Sequence, residues 1–320
     1  MKEKYQNVPQ NKIDKKTTTA HINSIGNYLK SYFGEKIIKL SLDGGFTCPN
    51  RDGSKGKGGC IFCSSDGSGD FASDIEGQIN LLSKKWPKAK YIAYFQAHTN
   101  TYAPVSVLRK QFYAALDYDK EKIVGIAIAT RPDCLNNEVL DLLSEINEKT
   151  FLWVELGLQT CHDKTAELIN RCYPLSVYDE AITSLTERNI RIVTHLILGL
   201  PGETKQDMFD SIEYVCKPLK NGKHIFGIKL HLLNVIKGSQ MEILYPDYVP
   251  FSSLDEYVNI VIDALRIIPW DVTVHRLTAD AKRSILISPH WSFMKRTILN
   301  NINNTLISLD ITQGDMYEIQ

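Results

Sequence analysis

Six short apolar runs recur along the chain, with helical periodicity between several of them, and few folds accommodate that rhythm. They occupy residues 36–42 (KIIKLSL), 91–95 (YIAYF), 123–129 (IVGIAIA), 151–156 (FLWVEL), 190–198 (IRIVTHLIL) and 226–233 (FGIKLHLL). Each has strand length and is rich in β-branched, aromatic or other apolar residues. Between them, 138–147 (EVLDLLSEIN), 177–188 (VYDEAITSLTER) and 207–215 (DMFDSIEYV) repeat apolar residues at three- and four-residue spacing, which is the helix period. Such alternation predicts parallel βαβ units. Six of them predict an α/β fold, a partial (β/α)6 TIM-like barrel with its chemistry in loops at the C-terminal strand ends. Residues 1–25 are expected to be a loosely packed N-terminal arm. Residues 26–250 are the expected core, and 251–320 a C-terminal extension of helix and strand packed on it.

With 320 residues, 43% of them apolar and 23% charged, the chain can bury a large core. Its 37 Lys and Arg balance 37 Asp and Glu. That argues against a general polyanion coat but leaves room for a local basic groove. No run approaches the ~20 apolar residues of a membrane helix. The start, MKEKYQNVPQNKIDKK, has no apolar stretch of the secretory kind. A cytoplasmic protein without a membrane partner is expected.

Seven cysteines are present, and only Cys48, Cys60 and Cys63 lie close together, in the pattern C-x11-C-x2-C. The residues between Cys48 and Cys60 include Pro49, Asn50, Asp52, Gly53, Gly56, Gly58 and Gly59. Such a stretch continues no helix or strand. It can wrap closely around a bound group, because glycine removes the Cβ that would block approach. The residues alone allow three readings. The segment is a surface loop with incidental thiols; or it is a zinc site completed by a remote ligand such as His98 or His195; or its three thiolates hold an iron–sulfur cluster with one iron left open. Cys134, Cys161, Cys172 and Cys216 show no cluster spacing.

The run GFTCPNRDG followed by GGCIFC resembles the YhcC/YtqA (MnmL) family of radical S-adenosylmethionine (SAM) proteins, on the Elp3-like branch of that superfamily. The eleven-residue first interval departs from the superfamily's common C-x3-C-x2-C. Further pieces follow in order: Thr130-Arg131-Pro132-Asp133, Gly157-Leu158-Gln159-Thr160 with Asn170-Arg171, Gly199-Leu200-Pro201-Gly202-Glu203-Thr204, His275-Arg276-Leu277-Thr278 and Ser288-Pro289-His290-Trp291.

The resemblance implies that Cys48, Cys60 and Cys63 ligate a [4Fe–4S] cluster whose open iron chelates SAM. One electron, from a flavodoxin- or ferredoxin-type donor, then releases methionine and a 5′-deoxyadenosyl radical. The cofactors carry the hard step, and the protein orients and shields. By motif, Gln159 and Arg171 would hold SAM's polar groups, with Arg171 gripping the carboxylate through two N–H groups. His195 stands where a related branch has an acidic SAM contact. Gly199 and Pro201 would shape the adenine edge. Gln96, with His98 and Thr99, occupies the place of the SAM-amine motif, although its usual Gly-Gly-Glu is missing. Ala129 stands where a related branch has Glu.

The same resemblance suggests tRNA as substrate and the 5-substituent of wobble uridine as target, with carboxymethylaminomethyl converted to aminomethyl. A radical SAM enzyme acting on a small metabolite or protein, and a non-catalytic thiolate–metal module, are the alternatives. Basic residues that suit RNA are Arg51, Lys55 and Lys57; Lys84, Lys85, Lys88 and Lys90; and Lys282, Arg283, Lys295 and Arg296. Trp86, Tyr91, Trp291 and Phe293 are candidate stacking surfaces for an unpaired base.

Overall fold

A computed structural model describes residues 19–64, 72–279 and 281–318. Most of the predicted arm, residues 1–18, lies outside them. The strands are β1 (Ile37–Leu42), β2 (Lys90–Phe95), β3 (Ile123–Thr130), β4 (Phe151–Gln159), β5 (Arg191–Leu198), β6 (Gly227–Leu232), β7 (Val235–Ile236), β8 (Thr273–Arg276) and β9 (Leu286–Ser288). Seven form one sheet in the order β1-β2-β3-β4-β5-β6-β8, and every neighbouring pair is parallel. β7 and β9 form a separate antiparallel pair.

All six predicted strands are present. The seventh, β8, comes from the segment read as an extension, reached through the helix Leu254–Ile267. Its four residues, TVHR, are too few and too polar at one end to show alternation. Asn23 and Ser24, at the end of the segment expected to be an arm, are tied to β8 and to Gln313. Ser24 bridges Val274 in parallel, the Asn23 carbonyl accepts from the Val274 N–H at 2.8 Å, and the Asn23 N–H donates to Gln313 Oε1 at 3.0 Å.

The sheet is curled. Side chains from all seven strands line one cavity: Ser41, Tyr94, Ala129, Glu155, His195, Lys229 and Arg276. Period-2 alternation sends the intervening residues outward, under helices that include Val105–Asp117, Asn137–Lys149, Leu175–Glu187 and Lys205–Cys216.

The N-terminal ends of the strands are plugged. The helix Ile25–Phe33 starts on a Ser24 cap and stops at Gly34, whose φ of +73° suits glycine. Leu29 and Phe33 are buried with Ile37, Ile92, Phe151 and Trp153. The Phe151 ring lies 4.9 Å from Tyr32 and 5.5 Å from Phe33, centroid to centroid. Burying each such side chain contributes roughly 1.5–3 kcal/mol. The plug closes the cavity below, so its mouth faces the C-terminal strand ends.

Candidate active site

The cavity encloses about 610 Å³, ample for a cofactor-sized ligand. Cys48, Cys60 and Cys63 line its rim together with Arg51, Phe62 and Ser64. The loop that carries them is tied down at several points. Ile61 N–H donates to Ile169 O at 3.1 Å, and Met241 N–H donates to Ile61 O at 2.9 Å. Asn170, in the left-handed region at φ +55°, donates from Nδ2 to the carbonyls of Lys57 (3.1 Å) and Gly59 (2.7 Å). Asn50 is fully buried, and its Nδ2 donates to Asn170 O at 2.5 Å and to Cys60 Sγ at 3.5 Å. A Cβ on Gly56 would lie 2.0 Å from Asn50 Oδ1, so only glycine fits there.

A hydrogen bond from Cys63, with the charges of Arg131 and Arg171, holds the Cys60 thiol down to about 7 against its burial. Cys63 is pushed well above its ordinary range by donating to Cys60 and by burial. Two thiols thus share a proton that a bound metal would displace. Among the described residues, His162, Asp207 and Asp210 are the only three His, Cys, Asp or Glu side chains with ligand atoms all within 4.8 Å of one another. Three thiols gathered on one cavity rim are a donor set that suits a cluster with one iron left open.

Gln159 lines the cavity at the end of β4, with φ +67°. With its amide oriented by the surrounding carbonyls, the nitrogen donates to Gly157 O (2.7 Å) and Leu158 O (2.9 Å). Its side-chain oxygen is then the acceptor left for a ligand amine. Gln96 and His98 line the same cavity after β2.

Arg171 behaves differently from the expectation. It is 1% exposed, and donates to the carbonyls of Tyr173 (3.0 Å), Leu158 (2.9 Å) and Thr160 (2.6 Å) and to Asp163 Oδ1 (3.1 Å). Four of its five N–H groups are engaged, so no two-pronged grip on a carboxylate remains. Its role is to brace the turn that presents Gln159. Arg131, in a two-pronged pair with Asp133 at 2.9 Å, donates in turn to Arg171 O at 3.0 Å.

Gly199 and Pro201 are also placed differently. Neither lines the cavity. Gly199 has φ +85°, and a Cβ there would meet Phe251 and Pro250 at 2.8 Å. Packing beneath the turn after β5 explains that glycine.

His195 does line the cavity, and it leads to residues that motif reasoning missed. Glu155 is 0% exposed on β4. One oxygen accepts from Trp153 Nε1 at 2.8 Å. The other accepts from Tyr94 Oη at 2.6 Å, from His195 Nε2 at 2.8 Å and from the Lys229 ammonium. Lys229 Nζ also donates to Tyr94 Oη at 2.8 Å. The nearby cations, Lys229 foremost, keep Glu155 ionised despite its burial. Burial, partly countered by Glu155, brings Lys229 down to about 7. The sequence signal was available: Glu155 and Lys229 interrupt otherwise apolar strands.

Burial and the Lys229 charge lower His195 to about 4 from an ordinary 6.5. Between those values the unfolded chain binds more protons, so stability falls as pH drops from 6.5 toward 4. For His195, whose side chain is 17% exposed, the loss between pH 7 and 5 is about 2 kcal/mol. Urea unfolding at the two pH values checks it. His195→Gln is expected to flatten the slope, and an unchanged slope contradicts the assignment.

The basic candidates separate by position. Lys55, Lys57, Lys282, Arg283, Lys295 and Arg296 are exposed. The first two sit in the rim loop, and Lys282 and Arg283 follow Ala281, which lines the cavity. The Arg283 guanidinium lies 4.5 Å from the exposed Phe293 ring. Lys84, Lys85 and Lys88 instead precede β2 and Lys90 opens it, at the plugged end, where Lys90 pairs with Glu35 at 2.6 Å. Trp86 lies there too, between Lys36 and Lys85. Tyr91 is 1% exposed, which removes it as a stacking surface. Trp291 packs on Tyr257 at 5.8 Å.

The sequence profile of the radical SAM superfamily matches residues 50–215, and that of the radical SAM C-terminal domain matches residues 225–308. The chain belongs to the radical SAM superfamily. It is 44% identical to YtqA of Bacillus subtilis (strain 168) over 310 residues, 94% of either chain. To YhcC of Escherichia coli (strain K12) it is 38% identical over 279 residues, 84% of this chain and 87% of that one. It is therefore a member of the YhcC/YtqA family. The archaeal Methanocaldococcus infernus Elp3 shares its fold, with a TM-score of 0.64 at 14% identity over 87% of this chain and 64% of that one. The cofactors of this superfamily are a [4Fe–4S] cluster and SAM. Among the described residues no helix is long and apolar enough to cross a membrane.

Proposed function

We propose that this radical SAM enzyme modifies tRNA, converting the carboxymethylaminomethyl substituent of a wobble uridine to aminomethyl. The observation that carries the reading is a blind cavity, thiol-rimmed at its mouth and polar at its floor, with exposed cations and one exposed aromatic beside the opening. When bound, the cluster and SAM supply a carbon-centred radical able to take hydrogen from an unactivated carbon. Cys48, Cys60 and Cys63 hold the cluster in this reading. Gln159 accepts from the SAM amine, and Gln96 and His195 complete the walls around the cofactor. The plugged barrel keeps water from the reacting carbon. The basic mouth receives the phosphates, and the narrow cavity admits only a base turned out of its stack.

Binding of unmodified-backbone tRNA tests the mouth. Lys282→Glu/Arg283→Glu is expected to weaken tRNA binding about tenfold or more and to reduce its salt dependence. Lys84→Glu/Lys85→Glu/Lys88→Glu, at the plugged end, is expected to leave it within about twofold. Filter binding across a salt series reads both. Equal losses from the two variants, or no salt-dependent binding by the parent, sinks the tRNA reading and favours a small-molecule or protein substrate.

A further inference from the structure

The floor of the cavity is rich in donors and holds one carboxylate among the described lining residues. Glu155 is the one carboxylate among the described cavity-lining residues, and four donors already converge on it. Lys229, 2% exposed, spends two of its three ammonium N–H groups on Glu155 and Tyr94. The third is left in a wall of the cavity. His231, two residues further along β6, also lines the cavity, and its Nε2 has no hydrogen-bond partner. Its ring lies 5.1 Å from that of His195. Burial first, then the charge of Arg276, keeps His231 neutral, so this ring nitrogen can carry a proton to donate. Arg276, at the end of β8, completes the lining on the same side with a guanidinium charge.

A ligand that reaches this floor meets two cationic side chains and a neutral donor. We propose that Lys229, His231 and Arg276 form a subsite for a carboxylate at the tip of the substrate's reacting substituent. The inference rests on the reading of the cavity as the substrate pocket, and it adds the group that is recognised and the residues that recognise it. A carboxylate suits the planar guanidinium fork. A backbone phosphate does not suit the position, because chain continues on both sides of it and only a terminal group reaches the bottom of a blind cavity. Glu155 then has a positioning role. It fixes Lys229 and His195, and its charge excludes a second acid from the wrong side.

The test uses cluster-loaded protein saturated with SAM. Binding of N-ethylglycine is compared with that of ethylamine, which lacks the carboxylate, and of inorganic phosphate, by titration calorimetry. Saturable binding of N-ethylglycine alone is expected. Arg276→Gln and His231→Ala should each weaken it at least fivefold, and Arg276→Lys should weaken it less than Arg276→Gln. Two substitutions on different strands guard against a folding defect in either, and unchanged melting temperatures confirm it. Indifference of N-ethylglycine to both substitutions, absence of saturable binding, or tighter binding of phosphate overturns the subsite. The tRNA reading fails separately. If N-ethylglycine binds in an Arg276-dependent way while tRNA does not bind, the carboxylate subsite stands and the macromolecular substrate falls. If tRNA binds equally well with and without the carboxylate on its wobble substituent, the subsite falls and the tRNA reading stands.

Discussion

Cys48→Ala, Cys60→Ala and Cys63→Ala are each expected to abolish SAM cleavage, whereas Cys216→Ala retains it. In the proposed reading each rim cysteine supplies one of three thiolates, and two thiolates do not retain a four-iron cluster through purification. The effect does not pass through the fold, because all three sit in a loop outside the sheet and helices. Cys216 is 0% exposed at the end of the helix Lys205–Cys216, in the core on the outer face of the sheet, and burial pushes its thiol far above the ordinary range. It behaves as a small apolar side chain, and its loss costs about 1 kcal/mol of stability. Iron and sulfide content with 5′-deoxyadenosine yield, measured on all four proteins after anaerobic reconstitution, reads the contrast. Full SAM cleavage by Cys48→Ala contradicts the ligand assignment.

The second large effect is expected at Glu155. Glu155→Leu removes a carboxylate that four donors share, leaving Lys229 as an uncompensated buried cation. Breaking one side of such a pair typically costs about 3–5 kcal/mol. Lys229→Met strands the carboxylate and is expected to cost a similar amount, softened by the remaining bonds from Tyr94, His195 and Trp153. The double substitution Glu155→Leu/Lys229→Met removes both charges at nearly constant volume. It should cost less than the sum of the two single losses, because no unpaired charge remains, while Tyr94, His195 and Trp153 still lose their acceptor. Urea unfolding of the four proteins closes the cycle. Additive losses contradict a coupled pair. In the wild type the pair is expected to act less as a source of stability than as the fixed base on which the substrate end of the cavity is built.

The strand rhythm was legible because parallel strands buried on both faces read as apolar runs. All six such runs became strands, and the loop after β1 became the thiol rim. β8 was not legible: a four-residue strand carries no period. Its place at the sheet edge comes from the crossover helix before it and from Asn23 pairing with Val274, contacts more than 200 residues apart. Motif matching placed Cys48, Cys60, Cys63, Gln96, Gln159 and His195 around one cavity. It assigned ligand contacts to Arg171, whose donors go to backbone carbonyls and Asp163 within the turn, and to Gly199, which packs under Pro250 and Phe251. Both differences have one physical origin. A motif marks a turn that must have a certain shape, and the residue that makes the shape need not touch the ligand. Glu155 and Lys229 were overlooked for the opposite reason. They belong to no loop motif, and their signal is the cost of a charge inside an apolar strand, bearable only where a partner faces it. The lysines before β2 show a further limit of reading charge from sequence alone. They are near the cysteines in order but lie at the other end of the barrel.

The most direct test of the account is one reaction. Cluster-loaded protein would be incubated with SAM, a reductant and tRNA carrying carboxymethylaminomethyluridine at the wobble position, and the nucleosides would then be resolved by mass spectrometry. The account predicts about four irons per chain, with 5′-deoxyadenosine and aminomethyluridine rising together and both absent in Cys60→Ala. A protein that takes up one zinc and forms no 5′-deoxyadenosine contradicts the thiol rim as a cluster site. One that forms 5′-deoxyadenosine but leaves the uridine untouched contradicts the proposed substrate.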